Sequence, residues 1–111
     1  MVIDKSVTGR PAVIAPDVAR SLSNHTRVNA VGRYKIGITC RPEQRFREYG
    51  REFDEMVLLY CSTSRDYVRD LEAMLVEMHW EWCENMIGGG GGSRGSGRHY
   101  LYVVRERLSW N

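Results

Sequence analysis

The run Met56-Val57-Leu58-Leu59-Tyr60-Cys61 is continuously apolar, too short for an ordinary helix and without the alternation of a half-buried strand. A segment of this kind is expected as a central, buried strand. Immediately after it, Thr63-Ser64-Arg65-Asp66 carries a helix-capping signal. Val68, Leu71, Leu75, Met78 and Trp82 then recur at intervals of 3, 4, 3 and 4, the stripe of an amphipathic helix reaching to about Trp82. A strand feeding directly into a helix thus fixes the middle of the chain.

The flanks read less sharply. Arg33 to Thr39 is expected as a strand with Ile36 and Ile38 on one face and Lys35 and Gly37 on the other. Pro42 suits the first turn of a helix in which Phe46, Tyr49 and Phe53 share a face, and Gly50 is placed to end it. Arg45 and Tyr49, four residues apart, are neighbours on that helix. Upstream, Pro11-Ala12-Val13-Ile14-Ala15-Pro16 is a short apolar run between prolines, expected as an edge strand, and Asp17 to Leu22 as one helical turn. Seven of the eleven glycines fall between residues 88 and 97, and Tyr100 to Val104 reads as a last short strand. The order strand, strand, helix, strand, helix, glycine loop, strand gives a single α+β domain over residues 1–111.

With 111 residues, 42% hydrophobic and 27% charged, the chain is sized for one globular domain. It has no apolar stretch long enough to span a membrane and no apolar leader at its start, so an intracellular setting is expected. Three cysteines are too few for a disulfide scaffold. The net charge of +2 is unevenly spread: residues 33–51 carry +4, residues 52–85 carry −7 and residues 86–111 carry +3. Two basic segments therefore flank an acidic middle. Brought to one surface they would favour a polyanion, phosphates being the main source of nucleic-acid affinity; spread apart they are ordinary solvated charge.

Two residues stand out chemically. Glu72, four after Val68 and three before Leu75, falls on the core-facing stripe. A carboxylate there must be paired at the rim, protonated or bound to a cation. Lys35 is one of only two lysines beside fourteen arginines, so a mid-strand ammonium is either an ordinary snorkelling side chain or one wanted for its tunable charge. His79 and Cys83 are four apart, but no Cys-x-x-Cys pair accompanies them, and the cysteines read as small core residues. The glycine run lacks the Gly-Lys-Ser/Thr of a P-loop, although its amides with Arg94 and Arg98 could approach phosphates.

Tyr34-Lys35-Ile36-Gly37-Ile38-Thr39, followed by Arg41-Pro42 and Arg45, resembles the second motif and first helix of the GIY-YIG nuclease superfamily, in the branch with lysine in place of the motif's first tyrosine. The resemblance runs on through Leu71-Glu72 and Leu75 to Asn85 and the glycine loop, covering residues 33–104 and leaving residues 1–32 as a divergent N-terminal segment. It implies a small three-stranded antiparallel sheet flanked by helices and metal-dependent hydrolysis of phosphodiester bonds in DNA or RNA. Glu72 would hold one Mg²⁺ or Mn²⁺, and Arg45 would stabilise charge on the phosphate. Lys35 would orient or activate the attacking water, Tyr49 would relay a proton, and Asn85 would position the Glu72 region. Arg33, Arg41, Arg94 and Arg98 are the expected backbone contacts.

The family's first motif, a strand bearing a tyrosine, has no counterpart upstream of Lys35. Tyr34 and His25 are the candidates for a general base, and Tyr100 or Tyr102 can serve if the last strand folds back on the site. The same fold without that tyrosine would be a nucleic-acid or nucleotide binding module. A third expectation is a protein-interaction domain docking through Met74, Met78, Trp80 and Trp82. With no separate recognition module, low sequence specificity or a preference for single strands is expected.

Overall fold

The apolar run forms β3 (Glu55–Ser62), an interior strand buried along nearly its whole length. The computed structural model describes residues 1–27, 31–78 and 97–107. In these residues four strands form one mixed sheet in the order β1-β3-β4-β2. On one side of β3 lies β1 (Val2–Val7), parallel to it, with Ile3 opposite Val57. On the other side lies β4 (His99–Arg107), antiparallel, with Val103 opposite Val57. β2 (Val31–Thr39) completes the sheet, antiparallel to β4, with Ile36 opposite Val103. Three strands thus run one way, and β4 alone runs against them.

Three helices cover the two faces. On one face Ile36, Ile38, Leu59 and Leu101 pack with Val18 and Leu22 of α1 (Pro11–His25) and Val68, Leu71 and Leu75 of α3 (Arg65–Met78). On the other, Met56, Leu58, Tyr102 and Val104 pack with Phe53 and with Phe46 and Tyr49 of α2 (Pro42–Tyr49). Cover on both faces is why β3 carries no alternation, since every second residue of a one-sided strand would have faced water. The amphipathic stripe of α3 is buried as the 3-4 spacing requires; the expected continuation to Trp82 lies outside the described residues.

Two expectations are corrected. The sheet is four-stranded and mixed rather than three-stranded and antiparallel, because β1 joins it. The signal of β1 is weak because Asp4, Lys5 and Ser6 interrupt its apolar residues and its register slips between Asp4 and Val7. Such polar interruption suits an edge strand, where it discourages pairing with other chains. The apolar run Pro11 to Pro16 is also not a strand but the start of α1. Pro11 stands at the first turn, where its missing N–H costs nothing. Pro16 is exposed inside the helix, and the burial of Val18 and Leu22 outweighs its lost hydrogen bond. Among the described residues no helix is long and apolar enough to cross a membrane.

At the amino edge of the sheet Arg105 ties the layers together. Its guanidinium lies 3.2 Å from the buried Glu55 carboxylate and donates to the carbonyl of His25 at the end of α1. Arg107 adds a second, more exposed cation 3.5 Å from Glu55. Removing Glu55 would leave a mostly buried guanidinium with only its carbonyl partner. Glu55→Ala is expected to cost about 2 kcal/mol in urea denaturation, against a few tenths for Arg107→Ala.

Candidate functional site

The α2 face of the sheet carries a polar cluster built from three elements. Alternation along β2 sends Tyr34, Ile36 and Ile38 to the α1/α3 face, and Lys35 and Gly37 to the α2 face. Gly37 pairs with Tyr102 of β4, whose ring lies directly over it. A Cβ at position 37 would stand 2.6 Å from the Tyr102 Cζ, so glycine is required there by contact rather than by backbone conformation.

The Tyr102 hydroxyl is 2.7 Å from that of Tyr49, and the two rings meet edge to face. Tyr49 also packs edge-on against Phe53. Arg45, one turn before Tyr49 on α2, hydrogen-bonds the Tyr102 phenol. Burial, reinforced by Tyr49, pushes the Tyr102 phenol far above the ordinary tyrosine range despite Arg45. Tyr102 therefore keeps its proton at any working pH: it donates a hydrogen bond and is neither a base nor an acid that gives the proton up. Partial burial disfavours the Arg45 charge, but the neighbouring Tyr102, Glu48 and Tyr49 outweigh it and hold the guanidinium firmly protonated.

The structure thus brings together Lys35, Arg45 and Tyr49 on one face and adds Tyr102 from the last strand. β4 lies between β2 and β3, so its tyrosine faces the α2 residues across the sheet's own width. Gly37 facing a Tyr-x-Tyr strand was the only sequence signal for this meeting, and the 64 positions between residues 37 and 102 hide it.

Glu72 is placed elsewhere. It is buried between Val68, Leu71, Leu75 and Val76 on α3, which packs against the opposite face of the sheet. Its Oε2 has no hydrogen-bond partner among the described residues. Burial raises its carboxyl from 4.5 to about 7, with Arg69 opposing. An orphaned oxygen invites a cation, but a hydrated Mg²⁺ keeps several waters and needs room for them. Here one carboxylate stands in an apolar cluster, and the described residues contain no group of three or more His, Cys, Asp or Glu able to hold a metal. The sheet also separates this oxygen from Arg45. The described donors do not fit an Mg²⁺ or Mn²⁺ shared with a phosphate at Arg45, and no step is routed through one.

The remaining expected residues fall in three places. Tyr34 is buried in the α1/α3 core, opposite the cluster. His25 closes α1 with Nδ1 2.7 Å from the Ser21 carbonyl oxygen, while its own carbonyl receives Arg105. Arg33 is engaged at the amino edge, 3.3 Å from Glu106 and stacked 5.3 Å over the Phe53 ring. Arg41 and Arg98 stand exposed at the other edge. Asn85, Arg94, His79, Cys83, Trp80, Trp82 and the run Gly88 to Gly92 lie outside the described residues. Of the expected docking stripe, Met74 packs against the core and Met78 is exposed. Compared with known proteins, the chain matches no family model, no curated protein and no solved structure.

Proposed function

We propose that this chain binds nucleic acid through its phosphate backbone on the α2 face and cleaves a phosphodiester there, as a nuclease of GIY-YIG type. The observation that supports this most is the Arg45–Tyr102–Tyr49 cluster, with Lys35 on the same face of the sheet. Arg45 spends one of its donors on Tyr102, which fixes the fork and leaves the others to meet two phosphate oxygens. Charge growing on those oxygens as water attacks in line would be met by Arg45 and by Lys35 on the same face. Tyr102, kept protonated by burial, orients the Tyr49 hydroxyl bonded to it, and Tyr49 would offer a hydrogen bond toward the phosphate or the departing oxygen. Tyr102 would thus take the place of the tyrosine absent upstream of Lys35.

One observation favours a second reading, a binding module without hydrolysis. Glu72 lies across the sheet from the cluster, so the carboxylate expected to serve the reaction is not with the cations. A cleavage panel decides between the two. Labelled single- and double-stranded DNA and RNA are incubated with Mg²⁺, Mn²⁺ or EDTA, comparing the parent chain with Arg45→Ala and Glu72→Gln. Cleavage reduced about a hundredfold in Arg45→Ala supports the nuclease. Binding that is lost in Arg45→Ala, with no product in any lane, establishes the binding module. Binding and cleavage unchanged in Arg45→Ala would sink both.

A further inference from the structure

β1, β2 and β3 run in the same direction, so their carboxyl ends and the start of β4 share one edge of the sheet. Among the described residues each connection there brings an exposed arginine: Arg10 after β1, Arg41 after β2, Arg65 at the start of α3 after β3, and Arg98 before β4. The amino edge is different, because Arg33, Arg105 and Arg107 are paired with Glu106 and Glu55. Arg27 and Arg51 add exposed charge near the amino edge, so what distinguishes the carboxyl edge is that its four arginines lie by the ends of a parallel strand pair, the side on which ligands are usually held.

A cavity of about 190 Å³ opens in this edge, lined by Thr8, Cys61, Ser62, Thr63 and Arg98. Ser62 is already engaged, its Oγ accepting from the Ser64 amide and bonding the Tyr60 phenol, which stiffens that wall. The Tyr60 hydroxyl in turn donates to the Gly9 carbonyl, holding the end of β1 in place. Thr8, Thr63 and Arg98 bring the donors, and among the described residues no carboxylate lines the space. Asp4, held low by hydrogen bonds from Ser6, feels Arg98 but is not part of the wall. The volume lies below the roughly 300 Å³ at which pockets for drug-sized ligands begin. It suits a phosphate with part of its sugar, not a base.

The cavity and the Arg45 cluster are related through β4. Tyr100 and Tyr102 project to the same side of β4, and Arg98, just ahead of the strand, lines the cavity. Half-buried Tyr100 stands between them, paired with Cys61 of the cavity and packed beside the Tyr102 cluster. A cation, an aromatic ring and a second cation in this order make a surface for a strand whose bases are unpaired. We infer that the Thr8/Thr63/Arg98 cavity holds a second phosphate of a single-stranded nucleic acid, with a base against Tyr100 and another phosphodiester of the same strand at Arg45. This rests on the reading of Arg45 given above.

The test is fluorescence anisotropy of a labelled single-stranded oligonucleotide in EDTA over a range of salt concentrations. It compares the parent chain with Arg98→Ala, Thr63→Val and Arg45→Ala. Arg98→Ala is expected to weaken binding at least tenfold and to lower the slope of log affinity against log salt by about 0.7, one phosphate contact on a single strand. Thr63→Val should weaken it severalfold, and an unlabelled duplex should compete at least tenfold less well than the single strand. Parent-like binding by Arg98→Ala and Thr63→Val, with Arg45→Ala weakened, would overturn the inference and leave the α2-face reading standing. Parent-like binding by Arg45→Ala would overturn that reading instead. Equal competition by duplex would overturn the single-strand assignment. Arg98 and Thr63 lie at the surface or its edge, and unchanged circular dichroism confirms that the fold is kept.

Discussion

Glu72→Gln is expected to stabilise the protein by about 3 kcal/mol at pH 8 and by almost nothing at pH 4. The carboxyl sits in the α3 core and burial raises it from 4.5 to about 7, with Arg69 opposing. In the unfolded chain it titrates near its ordinary value, so the folded state binds the proton more tightly. A group raised on folding contributes stability that is fully present below the unfolded value, about 4.5, and lost as pH rises through about 7. The difference of about 2.5 units at about 1.4 kcal/mol per unit sets the magnitude. Glutamine has the shape of the protonated acid and removes the dependence. In thermal melts the variant should gain on the order of 10 °C over the parent at pH 8, the gap closing toward pH 4. Equal melting at pH 8 would show that the carboxylate is solvated or paired, contrary to its orphaned Oε2.

Gly37→Ala should damage the fold and the cluster together. The added methyl group would lie 2.6 Å from Cζ of Tyr102, which is fully buried between Gly37 and Tyr49. The ring cannot retreat without breaking its contact with Tyr49 or spreading β4 from β2. Overpacking of this kind costs about 1–3 kcal/mol, and loss of the Tyr49 and Arg45 bonds to a buried phenol adds about 1 kcal/mol. A total of about 3 kcal/mol in urea denaturation is expected, with loss of single-strand binding under conditions where the variant is still folded. The compensating pair Gly37→Ala with Tyr102→Leu should recover stability but not binding. Recovery of both would remove Tyr102 from the site.

The parts of this molecule that could be read locally are those whose signal is local. β3 and α3 announce themselves by an unbroken apolar run and a 3-4 repeat, and β2 by the alternation that places Lys35 opposite Ile36. α2 follows from Pro42 and the spacing of Arg45 and Tyr49. The proline-bounded run Pro11 to Pro16 misleads because prolines at a strand edge and at a helix start look alike. The better signal was Ile14, Val18 and Leu22 at intervals of four. β1 is too short and too polar to register. The burial of Glu72 is visible in its spacing from Val68 and Leu75, but the side of the sheet taken by α3 is a tertiary choice that no local pattern records. Tyr102 reaches Arg45 only because β4 enters between β2 and β3, and strand order is likewise absent from any single segment.

That insertion of β4 also governs how the chain can assemble. β2 and β3 run parallel and never touch as ladder partners, so β2 stays apart from the β1–β3 pair until residues 99–107 arrive. Pairings such as Gly37 with Tyr102 close loops of more than sixty residues, the class of contact that slows folding. A nascent chain can build β1, α1, β2, α2, β3 and α3 and still expose the apolar flanks of the β1–β3 pair and of an unpaired β2. Its final strand acts as a keystone, and Tyr102 is set against Gly37 and Tyr49 by the same late event that seals the fold.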